Sequence, residues 1–382
     1  GNIVKRLLLL GGGHAHVIVM RAFGKEPLHD TRVTLLSRTR FTPYSGMLPG
    51  LLAGLYSFAE SHIDLAWLAS ETGCEFIESE AMRIHPAARE VECTDGSIFG
   101  YDILSADTGS TPAIDAVPGA REHALPVKPV DRFLAGWRSI EQRIASGQPL
   151  RIAVVGGGAG GVELLLSLQH RLRAAVGGNT RFLLVTDQAE ILTHHNRSVR
   201  RIFRDVLAAR QIEVFPAHEV TRVEPHTLHC AGGARIAVDV PIWVTTAAPP
   251  AWIADAGLAT DHRGFIAVDD CLRSISHTDV FAAGDVATMV NHPRPKSGVY
   301  AVRQGPPLAR NLRRALAGER LSAFAPQRTA LALIGTGDRD AVASWGRFAA
   351  RGPWVWRWKD YIDRRWMRSY HPPDSGDRKG LT

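Results

Sequence analysis

The sequence predicts an α/β fold with two Rossmann-like units. Two stretches, residues 6–23 and 151–173, each combine an apolar strand, a glycine-rich turn and an amphipathic helix. A chain of 382 residues has room for two to three domains and a large core. The composition, 45% apolar and 22% charged with 36 glycines, is typical of such a fold, and no apolar run approaches the ~18 residues of a membrane-spanning helix.

The better preserved turn is Gly156-x-Gly158-x-x-Gly161, which follows an apolar run at 151–155 and precedes a helical pattern over 162–173. Gly156 permits a tight turn, Gly158 lets the backbone approach a pyrophosphate, and Gly161 lets the helix pack close to the strand. The helix N-terminus adds unpaired N–H groups and a partial positive charge. A glycine-rich turn can also simply cap a helix, but this strand–loop–helix context favours a dinucleotide site.

An imperfect copy of this turn opens the chain. Gly11 and Gly13 hold the first two glycine positions, but His16 stands at the third, where we expect its side chain to push the helix slightly away from the strand. The next predicted strand ends in Ser37 and Arg38, where an acidic residue normally binds a ribose 2′-hydroxyl. A serine hydroxyl offers one such hydrogen bond without the added charge.

The nucleotide preference of the second unit depends on the end of its next strand, predicted at 181–186. Asp187 follows that strand one place later than the acid that normally binds the ribose 2′-hydroxyl of NADH. An arginine that would bind the 2′-phosphate of NADPH does not immediately follow. The pattern therefore favours NADH.

The other predicted elements alternate between strands, loops and helices. In chain order they are a loop at 41–50, short strands with hairpin turns over 75–101, a buried strand within 101–112, helices at 127–146 and 198–209, a hairpin-rich stretch that ends at 241–250, and strands at 264–268 and within 278–285. The 41–50 loop is rich in Tyr, Phe and Met, so it either packs under the core or lines a flat aromatic ligand. Asp285, at the end of the last strand, is either a helix N-cap or a ligand of a nucleotide's ribityl and pyrophosphate region.

Four widely separated cysteines, Cys74, Cys93, Cys230 and Cys271, form no C-x-x-C or C-x4-C pair. This spacing gives no support to a zinc site or a redox-active dithiol, and we predict no metal. Cysteines of this kind are usually small, half-buried apolar residues. We expect a reducing, cytoplasmic compartment.

The positive charge is concentrated in the tail. The net charge is +7, and residues 347–382 hold nine Lys/Arg against four Asp. Within 354–368, Trp354, Trp358, Tyr361 and Ile362 share one helical face, whereas the arginines Arg357, Arg364 and Arg368 fall elsewhere. Such a segment lies in a membrane interface, docks a partner or covers the protein's own core. Nucleic acid binding has no motif behind it, and we predict none.

The order of these motifs resembles a known family. Two glycine-rich loops with YDILSADTGSTP (101–112), PIWVTTAAPP (241–250) and TDVFAAGD (278–285) are similar to the flavoproteins of the pyridine nucleotide-disulfide oxidoreductase class, over about residues 5–322. The resemblance implies an FAD-binding domain at 1–120 and 258–322, split by an NAD(P)H-binding domain at 121–257. A C-terminal domain at 323–382 carries the aromatic-basic segment.

The closer likeness is to the type II NADH dehydrogenase-like group, in the branch found alone or fused ahead of selenophosphate synthetase. The motifs PYSGMLPG, PKSGVYAVRQG and GPWVWRWKDYIDRRWMR resemble that branch and extend the likeness to about residue 370. The chain departs from disulfide reductases and from sulfide:quinone reductases because it has no cysteine pair where Pro43, Tyr44 and Ser45 would meet the flavin.

The resemblance implies a set of site residues. Those expected to bind FAD or NAD(P)H are Gly11, Gly13, His14, Ser37, Arg38, Pro43, Ala81, Thr108, Gly109, Gly156, Gly158, Gly161, Glu163, Asp187, Thr246, Gly284, Asp285, Lys296, Ser297 and Gly298. A helix over 296–305 would direct its N-terminus and Lys296 at the flavin, unless Lys296 is an ordinary solvated lysine. Pro306 and Pro307 should then kink or interrupt the helix.

These expectations combine into an FAD-dependent NAD(P)H oxidoreductase without a redox-active disulfide. Electrons would pass to a quinone or another small acceptor beside 41–50 and 296–305, with Tyr44 or Lys296 as proton donor. Glutamines that the group carries near the quinone are replaced by Val299 and Arg303, and Gln304 is kept.

Three hypotheses about the biological role stay open. The first is a quinone reductase attached through 345–370 to the inner face of the cell membrane. The second is an electron donor to a soluble protein partner in selenium metabolism. The third is a non-catalytic FAD-binding redox sensor, suggested by Thr246 where a glycine usually lets nicotinamide approach.

Overall fold

The computed structural model describes residues 3–173 and 178–373. The parts of the predicted C-terminal domain and charged tail at 374–382 lie outside the described residues. In the described ranges the α-helices are α1 (His14–Lys25), α2 (Leu48–Ala53), α3 (Phe58–Ser61), α4 (Leu65–Thr72), α5 (Ala120–His123), α6 (Val130–Ala145), α7 (Ala159–Leu172), α8 (Arg197–Ala209), α9 (Gly298–Ala317) and α10 (Pro353–Arg368).

The strands of the same ranges are short, as expected for an α/β protein with added hairpins. They are β1 (Lys5–Leu10), β2 (Thr31–Ser37), β3 (Phe41–Pro43), β4 (His62–Asp64), β5 (Glu75–Glu78), β6 (Ala81–His85), β7 (Glu90–Cys93), β8 (Ile98–Gly100), β9 (Ile103–Ala106), β10 (Thr111–Pro112), β11 (Leu125–Pro126), β12 (Leu150–Val155), β13 (Thr180–Val185), β14 (Glu213–Phe215), β15 (Val220–Glu224), β16 (Thr227–Cys230), β17 (Arg235–Ala237), β18 (Val240–Trp243), β19 (Ala247–Ala248), β20 (Ile266–Val268), β21 (Val280–Ala282), β22 (Ala287–Met289), β23 (Ala332–Gly335), β24 (Ala341–Trp345) and β25 (Phe348–Gly352).

Two parallel five-stranded sheets confirm the predicted α/β class. The first has the order β21-β9-β1-β2-β5 and the second the order β11-β18-β12-β13-β14. The central strands are buried on both faces, as in Leu7 to Leu10 of β1, which explains their continuous apolar runs. Because β21 comes from the later part of the chain, the first sheet is built from segments on both sides of the second.

Two helices beside the first sheet, α1 and α9, pack closely on one another. α1 packs on α9, and a Cβ added to Gly305 of α9 would lie 2.6 Å from Ile18 of α1. Two antiparallel three-stranded sheets, β6-β7-β8 and β15-β16-β17, form the hairpins expected from the sequence, and a third, β23-β24-β25, leads into α10.

Two expectations about local structure are wrong. Residues 41–50 are not one loop: they form β3, a 3-10 turn over Ser45–Met47 and the start of α2. Pro49 stands in the first turn of α2, where its missing N–H costs nothing, and Met47 and Leu52 are buried. Tertiary packing therefore overrides the turn signal.

Of the predicted kink or interruption at Pro306 and Pro307, the interruption does not occur. α9 begins at Gly298, two residues later than expected, and continues through both prolines to Ala317. Pro307 is buried in the helix, next to Leu308 in the core. We attribute the continuity to this packing, which compensates for the two missing backbone donors.

Candidate dinucleotide sites and an acceptor-side network

The turn between β12 and α7 has the geometry predicted for each of its glycines. Gly156 has φ 134°, and a Cβ there would lie 2.5 Å from the carbonyl oxygen of Val244. A Cβ on Gly158 would meet nothing within 4 Å, and one on Gly161 would lie 2.0 Å from the carbonyl oxygen of Gly156. No side chain caps α7, so its first-turn N–H groups face an open approach.

The first turn is assembled from three loops, which follow the neighbouring strands β1, β9 and β21. Gly11 has φ 95°, and a Cβ there would lie 2.3 Å from the carbonyl oxygen of Asp107. A Cβ on Gly13 would fall 2.3 Å from the carboxylate of Asp107, and one on Gly284 would lie 2.4 Å from the same group. Gly11, Gly13 and Gly284 thus leave no room for a Cβ around the buried Asp107.

Asp107 is a residue of this candidate site that the sequence analysis did not predict. Its side chain is 2% exposed, and its Oδ2 accepts the N–H of His16 at 3.1 Å, while the N–H of Ala15 also donates to the carboxylate. Burial raises the pKa of Asp107 to about 7, and the charge of Asp285 adds to the rise. The signal in the sequence was an acid directly after a buried strand, within SADTG.

His16 is held inside the fold. It is fully buried, its Nδ1 lies 2.6 Å from the carbonyl oxygen of Gly11 and its Nε2 lies 2.8 Å from Ser105 Oγ. Burial lowers the pKa of His16 to about 4, so the ring is neutral near pH 7.

Asp285 does not cap a helix. It lies within a 3-10 turn, Gly284–Val286, whose N-cap is Ala283. Its Oδ2 lies 3.5 Å from Ser110 Oγ and 3.5 Å from Lys128 Nζ. The N-cap alternative is therefore wrong, and Lys128 is a second residue at this site that the sequence analysis missed.

Hydrogen bonds connect the end of β2 to α6. Ser37 Oγ donates to the carbonyl oxygen of Thr39 at 2.8 Å, and Arg38 makes two hydrogen bonds, of 3.1 and 2.6 Å, to Asp131. Ala81, another predicted contact, begins β6 and is half-buried. Ser37 and Arg38 therefore already have protein partners in this structure.

The first site fits a dinucleotide. Among the described residues, the buried Thr108 Oγ1 has no hydrogen-bond partner, although it lies between Asp107 and the left-handed Gly109 (φ 76°). A Cβ on Gly109 would meet nothing within 4 Å. A polar group without a partner beside an open glycine is what a polar ligand would satisfy.

A second cluster of predicted residues lies beside α9. Gly284, Asp285, Lys296, Ser297 and Gln304 line one cleft, and a Cβ on Gly298 would fall 2.0 Å from Ser45 Oγ. Lys296 Nζ donates to the carbonyl oxygen of Ala287 and lies 3.2 Å from Thr288 Oγ1. Burial lowers the pKa of Lys296 to about 8, against the opposing effect of Asp285.

Tyr44 is connected to α10. Its hydroxyl donates to Asp363 Oδ1 at 3.2 Å, and Lys359 Nζ donates to Asp363 Oδ2 at 2.7 Å and to the carbonyl oxygen of Gly46. The ring of Tyr44 stacks on Trp366 at 4.4 Å. Burial, followed by the charge of Asp363, raises the pKa of Tyr44 above its ordinary value.

Two further predicted residues lie near this network. The ring of His14 meets Tyr44 edge-on at 5.5 Å, and burial lowers the pKa of His14 to about 4. Glu163 of α7 accepts the N–H of Gly335 at 2.9 Å. Burial raises the pKa of Glu163 to about 7, Lys359 opposes the rise and Asp363 adds to it. The network therefore reaches from the first turn to α7.

The last two predicted nucleotide contacts are exposed. Asp187 follows β13, and its Oδ1 accepts from Gln188 Nε2 at 3.0 Å. Thr246 lies just beyond β18, and its carbonyl oxygen accepts the N–H of Ala113 at 2.9 Å. Both follow strands of the second sheet at the edge that holds the β12–α7 turn.

The aromatic face of the tail does not cover the core. Its large exposed side chains are between 40 and 72% exposed, and they are Trp345, Phe348, Trp354, Trp358, Tyr361 and Ile362. Val355, Asp363 and Met367 of α10 face the protein instead. Among the described residues, no helix has the length and apolar composition needed to cross a bilayer.

All four cysteines are free thiols, with Cys93 and Cys230 buried and Cys74 and Cys271 half-buried. Burial raises the thiol pKa of Cys74, Cys230 and Cys271. Thiols of this kind react slowly because the thiolate is the reactive form. Among the described residues, no group of three or more His, Cys, Asp or Glu side chains is placed to hold a metal ion.

Comparisons with known proteins agree with this architecture. A family model described as pyridine nucleotide-disulphide oxidoreductase matches residues 5–305. An NADH dehydrogenase-like protein of Mycobacterium tuberculosis is 27% identical over 236 residues, which cover 59% of this chain and 58% of that relative. A type II NADH:quinone oxidoreductase of Staphylococcus epidermidis is 24% identical over 348 residues, 84% of this chain and 85% of the relative. The solved sulfide:quinone oxidoreductase of Aquifex aeolicus has a TM-score of 0.80 at 20% identity and covers 96% of this chain, which shows a shared fold.

Proposed function

The chain belongs to the pyridine nucleotide-disulphide oxidoreductase family, and on that premise we propose that it is an FAD-dependent NAD(P)H oxidoreductase that reduces a quinone at a membrane surface. The observation that carries the proposal is the Tyr44–Asp363–Lys359 network, which places a proton donor beside the predicted flavin face. Its second support is the pair of glycine-rich turns.

The residues assigned to FAD surround the first turn. Gly11, Gly13 and the N-terminal end of α1 lie at the pyrophosphate, Thr108 Oγ1 gains a partner, and Asp285 binds the ribityl chain. Pro43, Ser297 and Gly298 lie on the isoalloxazine side, with Ser37, Arg38 and Ala81 toward the adenosine. FAD, when bound, accepts a hydride from the nicotinamide and delivers two electrons to the acceptor.

NADH binds at the second turn in this proposal. Gly156, Gly158 and Gly161 leave the N-terminus of α7 open to the pyrophosphate. Asp187 is exposed after β13, where it can accept hydrogen bonds from the ribose hydroxyls, and its charge disfavours the 2′-phosphate of NADPH. Glu163 and Thr246 lie on the nicotinamide side.

The protein's own side chains supply the proton that the acceptor needs. Reduction of a quinone to a quinol adds two electrons and two protons; the hydride of NADH accounts for both electrons and one proton, so one further proton is needed. We assign the proton to Tyr44 and not to Lys296 because the Tyr44 hydroxyl lies beside the predicted flavin face and is connected through Asp363 to Lys359, whereas Lys296 donates to Ala287 and Thr288. Asp363 holds the phenol in place, and through it the Lys359 ammonium can replace the proton that Tyr44 gives up.

We place the exposed aromatic face of the tail in a membrane interface. Its aromatic side chains are large and amphipathic, and the arginines Arg357, Arg365 and Arg368 are exposed on the same helix. Aromatic rings with basic side chains suit the headgroup region of an anionic bilayer. The membrane also contains the quinone, so this contact brings the two substrates together.

Replacing Trp354, Trp358 and Tyr361 together by serine is expected to weaken binding to anionic vesicles at least tenfold, since burial of each ring in the interface contributes to binding. Flotation with vesicles of mixed neutral and anionic lipid measures this. Ile98→Ser removes another exposed apolar side chain, 57% exposed on β8, and should change nothing. Equal flotation of the triple variant and the wild type would exclude the membrane contact and favour a protein partner.

The cofactor assignment has a direct test. Purified protein should show the visible absorption bands of an oxidised flavin, and acid extraction should release FAD at close to one equivalent per chain. Protein that is colourless and takes up no FAD on reconstitution would overturn the proposed function.

A further inference from the structure

The two glycine-rich turns differ in what occupies the helix N-terminus. The first turn of α7 has no side-chain cap, so its N–H groups are available to a ligand. At α1 the N-cap residue is Gly13, yet the N–H groups of Ala15 and His16 are already bonded to the carboxylate of Asp107. Asp107 therefore caps α1 from another loop, in the way that an N-cap side chain does.

This carboxylate lies where it would meet a pyrophosphate. It sits under Gly13 and beside Gly284, within the ring of three loops at the N-terminus of α1. A pyrophosphate bound at the same helix N-terminus brings two negative charges close to a buried negative charge. Because the site is shielded from water, that repulsion is strong unless one charge is removed.

We propose that Asp107 positions the first turn and takes up one proton when FAD binds, so that FAD affinity depends on pH through this single buried carboxyl. The inference rests on the FAD site of the proposed function and deepens it. In its neutral form Asp107 can donate one hydrogen bond, to the incoming phosphate or to a neighbouring acceptor, while its other oxygen still caps α1.

Other charged and titratable groups also surround Asp107. His14 and His16, on α1, have pKa values lowered by burial to about 4 and stay neutral above pH 6. Asp285 faces the site from the loop after β21 and Lys128 from the segment before α6. Lys296 faces Asp285 from the segment before α9, and its pKa is lowered by burial to about 8. Lys296 therefore titrates at higher pH than Asp107.

The direction in which FAD affinity changes with pH follows from the pKa of Asp107 in the free and in the FAD-bound protein. The pKa of Asp107 in the free protein is about 7, raised by burial and by Asp285, and a bound pyrophosphate raises it further. The complex then binds more protons than the free protein, so binding strengthens as pH falls. The dissociation constant of FAD should be flat below pH 7 and rise by up to about tenfold per pH unit above it.

Calorimetric titration of the reconstitutable apoprotein with FAD, in buffers of different ionisation enthalpy, tests this without a variant. Uptake should be about 0.9 proton per FAD at pH 8 and about 0.1 at pH 6, from a pKa of about 7. Asp107→Asn keeps the shape and should reduce the uptake at pH 7.5 to near zero. Asp102→Asn, at the other end of the same strand, should keep it, because Asp102 is bonded to the N–H of Arg6 outside the site.

The outcomes separate the possible failures. Tight FAD binding by the wild type with no proton uptake at pH 8, or uptake that persists in Asp107→Asn, would overturn the role of Asp107. An uptake centred near pH 8 that disappears in Lys296→Met would assign the proton to Lys296 instead and also overturn it. Failure of the wild type to bind FAD at any pH would count against the FAD site itself, and so against the proposed function.

Discussion

Replacing Asp363 by asparagine is expected to slow quinone reduction about 100-fold and to destabilise the fold by about 3 kcal/mol. The rate falls because Tyr44 loses the carboxylate that orients its hydroxyl and connects it to Lys359, the source of the replacement proton, and general acid catalysis contributes about 10²–10⁴-fold. The stability falls because Lys359, only 15% exposed, loses the partner of an ion pair of 2.7 Å, and breaking a buried pair costs about 3–5 kcal/mol. Thermal unfolding and the rate at which quinone reoxidises the reduced protein measure the two effects.

A neighbouring acid of the same helix is the matched control. Asp360, almost one turn earlier, binds Tyr56 and Arg364 instead of Tyr44. Asp360→Asn should therefore lose stability but reoxidise with quinone at close to the wild-type rate. Tyr44→Phe should show the opposite pattern, with a slow rate and stability within about 1 kcal/mol of the wild type. An Asp363→Asn protein that reoxidises at the wild-type rate would remove the network from the mechanism.

Replacing Gly161 by alanine is expected to weaken NADH binding about 100-fold or more while FAD stays bound. The new Cβ would lie 2.0 Å from the carbonyl oxygen of Gly156, so the turn must open and α7 must shift. Two charge-assisted hydrogen bonds to the pyrophosphate, of about 1.5–3 kcal/mol each, are then lost. Anaerobic titration with NADH, followed by bleaching of the flavin band, measures the change.

Gly160 provides the control for this substitution. A Cβ on Gly160 would meet nothing within 4 Å, and alanine is the better helix former. Gly160→Ala should therefore bind NADH like the wild type. Unchanged NADH binding by Gly161→Ala would mean that the second turn does not hold the nucleotide.

The parallel α/β scaffold could be predicted because its signals are local. A strand, a glycine-rich turn and a helix follow one another within about twenty residues in both units, and each glycine of 156–161 has the environment that its position requires. The alternation of apolar strands with helices also predicts the parallel sheets.

The parts of the site that could not be predicted depend on contacts across the chain. Asp107 caps a helix that begins 93 positions earlier, and Asp363 reaches Tyr44 across a separation of 319 positions. A sequence pattern fixes which residues share an element, but it does not say which loop will supply a cap or a counter-charge. The helical turns within 41–50 differ from the loop prediction for a related reason, because they depend on packing against α7 and α10.

Anaerobic mixing of the FAD-loaded protein with NADH, and separately with NADPH, tests the central claim most directly. The proposed function predicts that NADH bleaches the flavin absorption band within the dead time or over seconds, that NADPH does so more slowly, and that a quinone then restores the band. A flavin band that neither nucleotide bleaches would contradict the assignment as an NAD(P)H oxidoreductase and leave an FAD-binding protein without nucleotide chemistry.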